Sequence, residues 1–181
     1  DVSLDDLVHQ LVEDRSLEAL EFLTGSRNED VLEELVIAAG RILGDDQQDD
    51  ADDEIVDTIR QRLIEVKATG PLIDALGIDN DPVTQEFAMG CLAEIGDMVA
   101  LDPLIKILEE GSPELKTVAA SQLALLTNYD HGPDAKKWRE WNLRRIDGLQ
   151  EQALEDAEEN ARRLNLRLKG THVTEDQDPQ H

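Results

Sequence analysis

Aromatic residues make up only 3% of this 181-residue chain, cysteine occurs once, and basic residues number 17 against 42 acidic ones. Each scarcity excludes something. With five rings in all (two Phe, two Trp, one Tyr), the core has to be built from Leu, Ile, Val and Ala, the aliphatic mixture that helical repeats use. A lone Cys91 cannot form an internal disulfide framework, and it fixes no compartment, because cytosolic and exported proteins alike can lack bridges. No apolar run approaches the ~18 residues of a membrane-spanning helix. The glycines stand singly, at the ends of predicted helices, so no Gly-rich phosphate loop is present. The sequence opens on Asp1 rather than methionine, which leaves an upstream leader, anchor or further domain as an open expectation, and localisation with it.

What is present is a repeat. Shifting the sequence by 31 residues places Pro82 on Pro113, Phe87 on Val118, Ala88 on Ala119, Leu92 on Leu123 and Ile95 on Leu126. A shift of 32 places Leu72, Ile73 and Leu76 on Leu104, Ile105 and Leu108. Each unit predicts a short helix with one apolar face, then Asp81-Pro82 or Ser112-Pro113 as an N-cap followed by proline at the first helical position. A longer helix follows, with Phe87, Cys91, Leu92 and Ile95 on one stripe and small Ala88 and Gly90 where another helix can approach. Cys91 therefore reads as a small core residue rather than a reactive thiol, which wants exposed, electropositive surroundings. A period of this length made of two helices predicts a solenoid, because one pair cannot bury its apolar stripe without stacked neighbours.

Short helix, turn, Asp/Ser-Pro and long helix in this order resemble the HEAT repeats, in particular the short bacterial kind first noted in phycobilisome lyases. The two well-matched units cover residues 71–127. The resemblance implies an all-α fold, a right-handed α-α superhelix, here with a long C-terminal helix and about four to five helix pairs.

Upstream, apolar periodicity predicts helices over residues 4–12, 16–22 and 31–43, the last stopped by Gly44, and residues 16–44 read as another short-plus-long pair. Residues 44–54 contain DDQQDDADD and read as a solvated acidic loop. The helix after it, on Ile55, Ile59, Leu63 and Val66, also has the long role, so the alternation breaks here. Either the loop replaces a short helix, or it runs the length of one and the flanking helices lie parallel. The expected repeat domain spans 1–135.

After the repeat, Leu126-Thr127-Asn128 and the helix bearing Trp138 and Trp141 resemble the terminal element of many bacterial proteins of this repeat type, with Asn128 where glycine is usual and His131 where an aromatic is usual. Two tryptophans three apart suit a structural cap over the last unit. The capping and amphipathic helix is expected over 136–169, and 170–181 as a disordered tail. Leu143, Ile146, Leu149, Leu154, Leu164 and Leu168, with Ala153, Ala157 and Ala161 among them, share a stripe about 140° wide. These leucines and Ile146 are the candidate partner-binding residues. Residues 1–135 carry 8 basic and 32 acidic residues (net -24), 136–169 carry 9 and 7 (net +2), and the tail adds -3. So acidic a body repels nucleic acid and anionic membrane and favours a basic protein or peptide.

Catalytic chemistry finds little material. His9, His131, His172 and His181 form no HExxH pair and no His-Glu dipeptide, so the iron-binding pattern of repeat-built hydroxylases is missing. Asp130, His131 and Asp134 gather near one turn without a nucleophile at a meaningful spacing. The acidic run of 45–54 lacks the glycine and terminal glutamate of a calcium loop. The expectation is a non-catalytic protein-protein interaction scaffold without catalytic residues, metal or cofactor. Two alternatives stand beside it: a structural protein self-associating, as a homodimer, through its C-terminal helix, and a lyase-like enzyme acting on a tetrapyrrole, implied by the resemblance alone.

Overall fold

The computed structural model describes residues 3–77 and 79–171, with side chains up to residue 163. Among these residues all regular secondary structure is helical, and no strand is present. It forms α1 (Leu4–Asp14), α2 (Leu17–Thr24), α3 (Glu29–Leu43), α4 (Asp50–Glu65), α5 (Thr69–Asp74), α6 (Pro82–Ile95), α7 (Leu101–Glu110), α8 (Pro113–Thr127) and α9 (Ala135–Thr171), with a 3-10 turn at Met98–Ala100 before α7. Two compact units divide it, Asp1–Trp138 and Arg139–His181.

Local chemistry sets the helix starts. Ser3, Ser16, Asn28, Asp49, Asp81 and Ser112 each accept a hydrogen bond from a backbone N–H of the first turn, which satisfies donors that the helix itself cannot. Pro82 and Pro113 follow their caps at the first helical positions, where a missing N–H costs nothing. At the other end α8 stops on Asn128, left-handed at φ 59°, so the position that glycine usually fills takes the non-glycine residue that tolerates this conformation best.

In the first unit the helices pack as two rows. Odd-numbered helices meet in succession, α1 on α3 and α3 on α5, with the 3-10 turn joining α5 to α7; even-numbered ones do the same, α2 on α4, α4 on α6 and α6 on α8. Across the rows α1 packs on α2, α3 on α4, α5 on α6 and α7 on α8. The pairs are thus four, and the short–long alternation breaks at the second, where α3 and α4 have 15 and 16 residues. The expected pairing of the helices in 16–44 gives way to α3 with α4. Leu11, Leu35, Ile42, Ile59, Leu63, Leu72, Leu92 and Leu104 are fully buried between the rows, each stabilising by roughly 1.5–3 kcal/mol. Cys91 is buried with them.

The acidic segment differs from the loop expected over 44–54. Its last five residues belong to α4, which begins at Asp50. Asp49 caps the helix and Asp52 reaches back to the Asp49 backbone, closing a capping box. Carboxylates in a first turn also meet the positive end of the helix dipole. The remaining connection turns tightly, with Asp45 N–H donating to Ile42 O and Gln48 N–H to Asp45 O. So short a turn makes α3 and α4 an antiparallel hairpin, and the parallel alternative falls.

In the second unit α9 continues as helix to Thr171. Gly170 and Thr171 therefore lie in helix rather than in the expected tail, and residues 172–181 lie outside the described residues.

Candidate functional site

The exposed surface of the even row has one sign of charge. Glu18 and Glu21 on α2, Asp50, Asp53, Glu54, Asp57 and Glu65 on α4, Glu86 and Glu94 on α6 and Glu114 on α8 are all exposed, and no lysine or arginine of these four helices is. The row's three basic residues are half-buried and engaged. Arg60 pairs with Glu94 at 3.2 Å and lies 5.0 Å above the Phe87 ring. Arg62 pairs with Glu65 at 3.3 Å and donates to Ser26 O at 3.1 Å, and Lys116 donates to Glu109 O at 3.0 Å. The odd row, by contrast, exposes Arg41 and Lys106.

Apolar side chains interrupt this acidic surface. Leu17 and Phe22 on α2 are each 69% exposed, and Leu125 on α8 is 67% exposed. The sequence reading placed residues 16–22 on a helix without seeing that Phe22 leaves the core. Helical geometry contains the signal: Ala19, Leu20 and Leu23 form the buried face of α2, and at 100° per residue Leu17 and Phe22 fall on either side of it.

A cleft of about 620 Å³ lies where α1 meets the α3–α4 turn, lined among others by Val12, Arg15, Arg41, Asp45 and Asp52. Arg15, left-handed at φ 53°, spans it, donating to Asp45 at 3.0 Å and to Asp52. The Arg15 guanidinium holds the Asp52 carboxyl below its ordinary range, although Asp52 is buried and burial acts the other way. Arg15 thus offsets part of the cleft's negative charge and engages two of its carboxylates.

The sequence-predicted positions fare differently. Leu143, Leu149 and Leu154 are 61%, 58% and 64% exposed, Ile146 is half-buried, and the side chains of Leu164 and Leu168 lie outside the described residues. Trp138 is fully buried. Its indole N–H donates to Gly132 O at 2.9 Å, and His131 meets the ring edge-on at 4.7 Å. Trp141, in the second unit, is half-buried. Around the Asp130–Asp134 turn, Asp130 accepts from Gly132 N–H at 2.8 Å and Asp134 from Lys137 N–H at 3.2 Å. Among the described residues no three His, Cys, Asp or Glu side chains gather as metal ligands. Burial pushes the Cys91 thiol up to about 12, so it offers no thiolate nucleophile at neutral pH.

Compared with protein-family models, with curated proteins and with solved structures, the chain finds no match.

Proposed function

We propose that the chain is a non-catalytic binding scaffold that holds a basic protein or peptide on the exposed surface of α2, α4, α6 and α8, the second helices of its four pairs. One observation carries the proposal: ten exposed carboxylates and no exposed basic side chain on that row. Such a surface raises the local concentration of a cationic partner and speeds its encounter. In the same proposal the four pairs are successive units of a HEAT-like, right-handed superhelix. The 31-residue period and the succession of contacts support that reading.

The test is a titration of the full chain with fluorescein-labelled oligolysine at low salt and at about 0.15 M salt, where screening sets in within ~8 Å. Reversing four even-row charges (E18K, E21K, E54K, D57K) is expected to weaken binding at least tenfold. Reversing four odd-row charges (D5K, E13K, E33K, E110K) is expected to leave most of it. Equal losses from both sets would reduce the effect to overall charge and remove the site.

A second reading, self-association through α9, is favoured by the exposure of Leu143, Leu149 and Leu154. It predicts a dimer mass for the full chain by light scattering and a monomer mass for a chain ending near Gly148. Equal monomer masses reject it.

A further inference from the structure

Leu17, Glu18, Glu21 and Phe22 are the exposed residues of α2, and at 100° per residue they fall in the order Leu17, Glu21, Glu18, Phe22 around about 140° of helix. The two apolar side chains therefore bracket the two carboxylates. α4 packs beside α2 and adds exposed Asp53, Glu54 and Asp57. Phe22 and Leu17 leave most of their surface in water, an arrangement that disfavours isolation and suits a partner with apolar groups of its own.

A second copy's α9 is poorly matched to this face. Its net +2 hides three blocks: residues 136–145 hold five basic and one acidic residue, 146–161 hold six acidic and none basic, and 162–169 hold four basic and none acidic. Of the three exposed leucines on the described part of α9, Leu149 and Leu154 sit in the acidic block, where like charge opposes docking on α2 and α4, and only Leu143 sits among basic residues.

We propose that the occupant of the α2–α4 face is a basic amphipathic helix, an external segment with leucine-like residues on one face and lysine or arginine beside them, rather than an extended polycation. The proposal rests on the scaffold reading above and adds the partner's chemical class. Its leucine-like residues cover Phe22 and Leu17, lysine or arginine set between them meets Glu18 and Glu21, and further cations at its edge meet the α4 carboxylates. This is the helix-on-groove mode of recognition, in which period and charge are both read.

Three labelled peptides of equal charge test it on the full chain: a leucine–lysine peptide with helical period, the same composition scrambled, and oligolysine. The periodic peptide is expected to bind at least tenfold tighter than either control. F22S and L17S together are expected to remove that advantage while leaving oligolysine binding unchanged. Both side chains are exposed, so the fold should persist, and a far-ultraviolet melt of the variant verifies this. E18Q with E21Q should weaken all three peptides. Binding of all three with equal affinity overturns the amphipathic requirement and leaves the scaffold; binding of none overturns both. Tight periodic-peptide binding that F22S and L17S do not change moves the site away from α2 and overturns the assignment. Dimerisation of the free chain that the same variant abolishes gives the face to a second copy and overturns it as well.

Discussion

Gly40 of α3 faces Thr84 of α6 so closely that a Cβ at position 40 would stand 1.8 Å from the threonine Oγ1 and 2.9 Å from its Cα. A side-chain rotation cannot relieve the second contact, because Cα belongs to the backbone. This is where α3 crosses to the longer helix of the next pair, and the absence of a side chain sets their separation. Gly40→Ala is therefore expected to cost about 3 kcal/mol, the upper part of the overpacking range, read as a lower urea midpoint with unchanged slope. Gly148→Ala is the control: no atom lies within 4 Å of its added Cβ, and alanine there should raise stability by up to about 1 kcal/mol.

The Arg15–Asp52 bridge should be visible in acid. The Arg15 hydrogen bond depresses the folded value of Asp52 below that of the unfolded chain. Its stabilising contribution is then fully present above the ordinary carboxylate value near 4 and is lost as pH falls through the depressed folded value. Asp52→Asn should cost about 1.5 kcal/mol at neutral pH, since Arg15 is partly exposed and keeps Asp45. The gap between wild type and variant should close on descending below pH 4 in paired thermal melts. A gap of constant size would mean that the bridge contributes nothing through charge.

Deleting residues 45–52 is expected to destabilise the first two helix pairs, because the segment contains the α4 cap, its first turn and both partners of Arg15. Thermal melts followed by circular dichroism measure it. An unchanged midpoint would make the segment a mere spacer.

Lys67 adopts φ 54° immediately after α4, a conformation that costs an L-residue about 1 kcal/mol. Lys67→Gly should recover a few tenths of this, the rest offset by the greater freedom of glycine in the unfolded chain. Chemical denaturation resolves such a change, and a loss of stability would show that the lysine side chain contributes something no contact here explains.

The parts legible in the sequence are those that local chemistry decides. Asp81-Pro82 and Ser112-Pro113 announced α6 and α8 because a cap acts within one turn, and the 31-residue period announced equivalent units. Neighbour choice was not legible. The stripe of Leu32, Leu35, Val36 and Ile42 states which face of α3 is buried but not against which helix, so the pairing of α3 with α4 had to be seen. The acidic run misled for a related reason. Aspartates read as loop by polarity, yet Asp49 and Asp52 are what a helix N-terminus prefers, and the burial of Asp52 depends on an arginine 37 positions earlier. Leu17 and Phe22 flank the buried face of α2, but how far each is exposed depends on how α2 rolls against α3 and α4.

The order of packing in residues 1–138 has a kinetic consequence. Every main helix contact there joins elements no more than three apart in chain order, so little loop-closure entropy is spent before contacts form, and folding belongs in the microsecond-to-millisecond range of helical domains. During synthesis the N-terminal hairpins can settle while later ones are still being made. Opening, in turn, should proceed by fraying from the outer helices inward, which hydrogen exchange would record as protection rising toward the α3–α6 crossing.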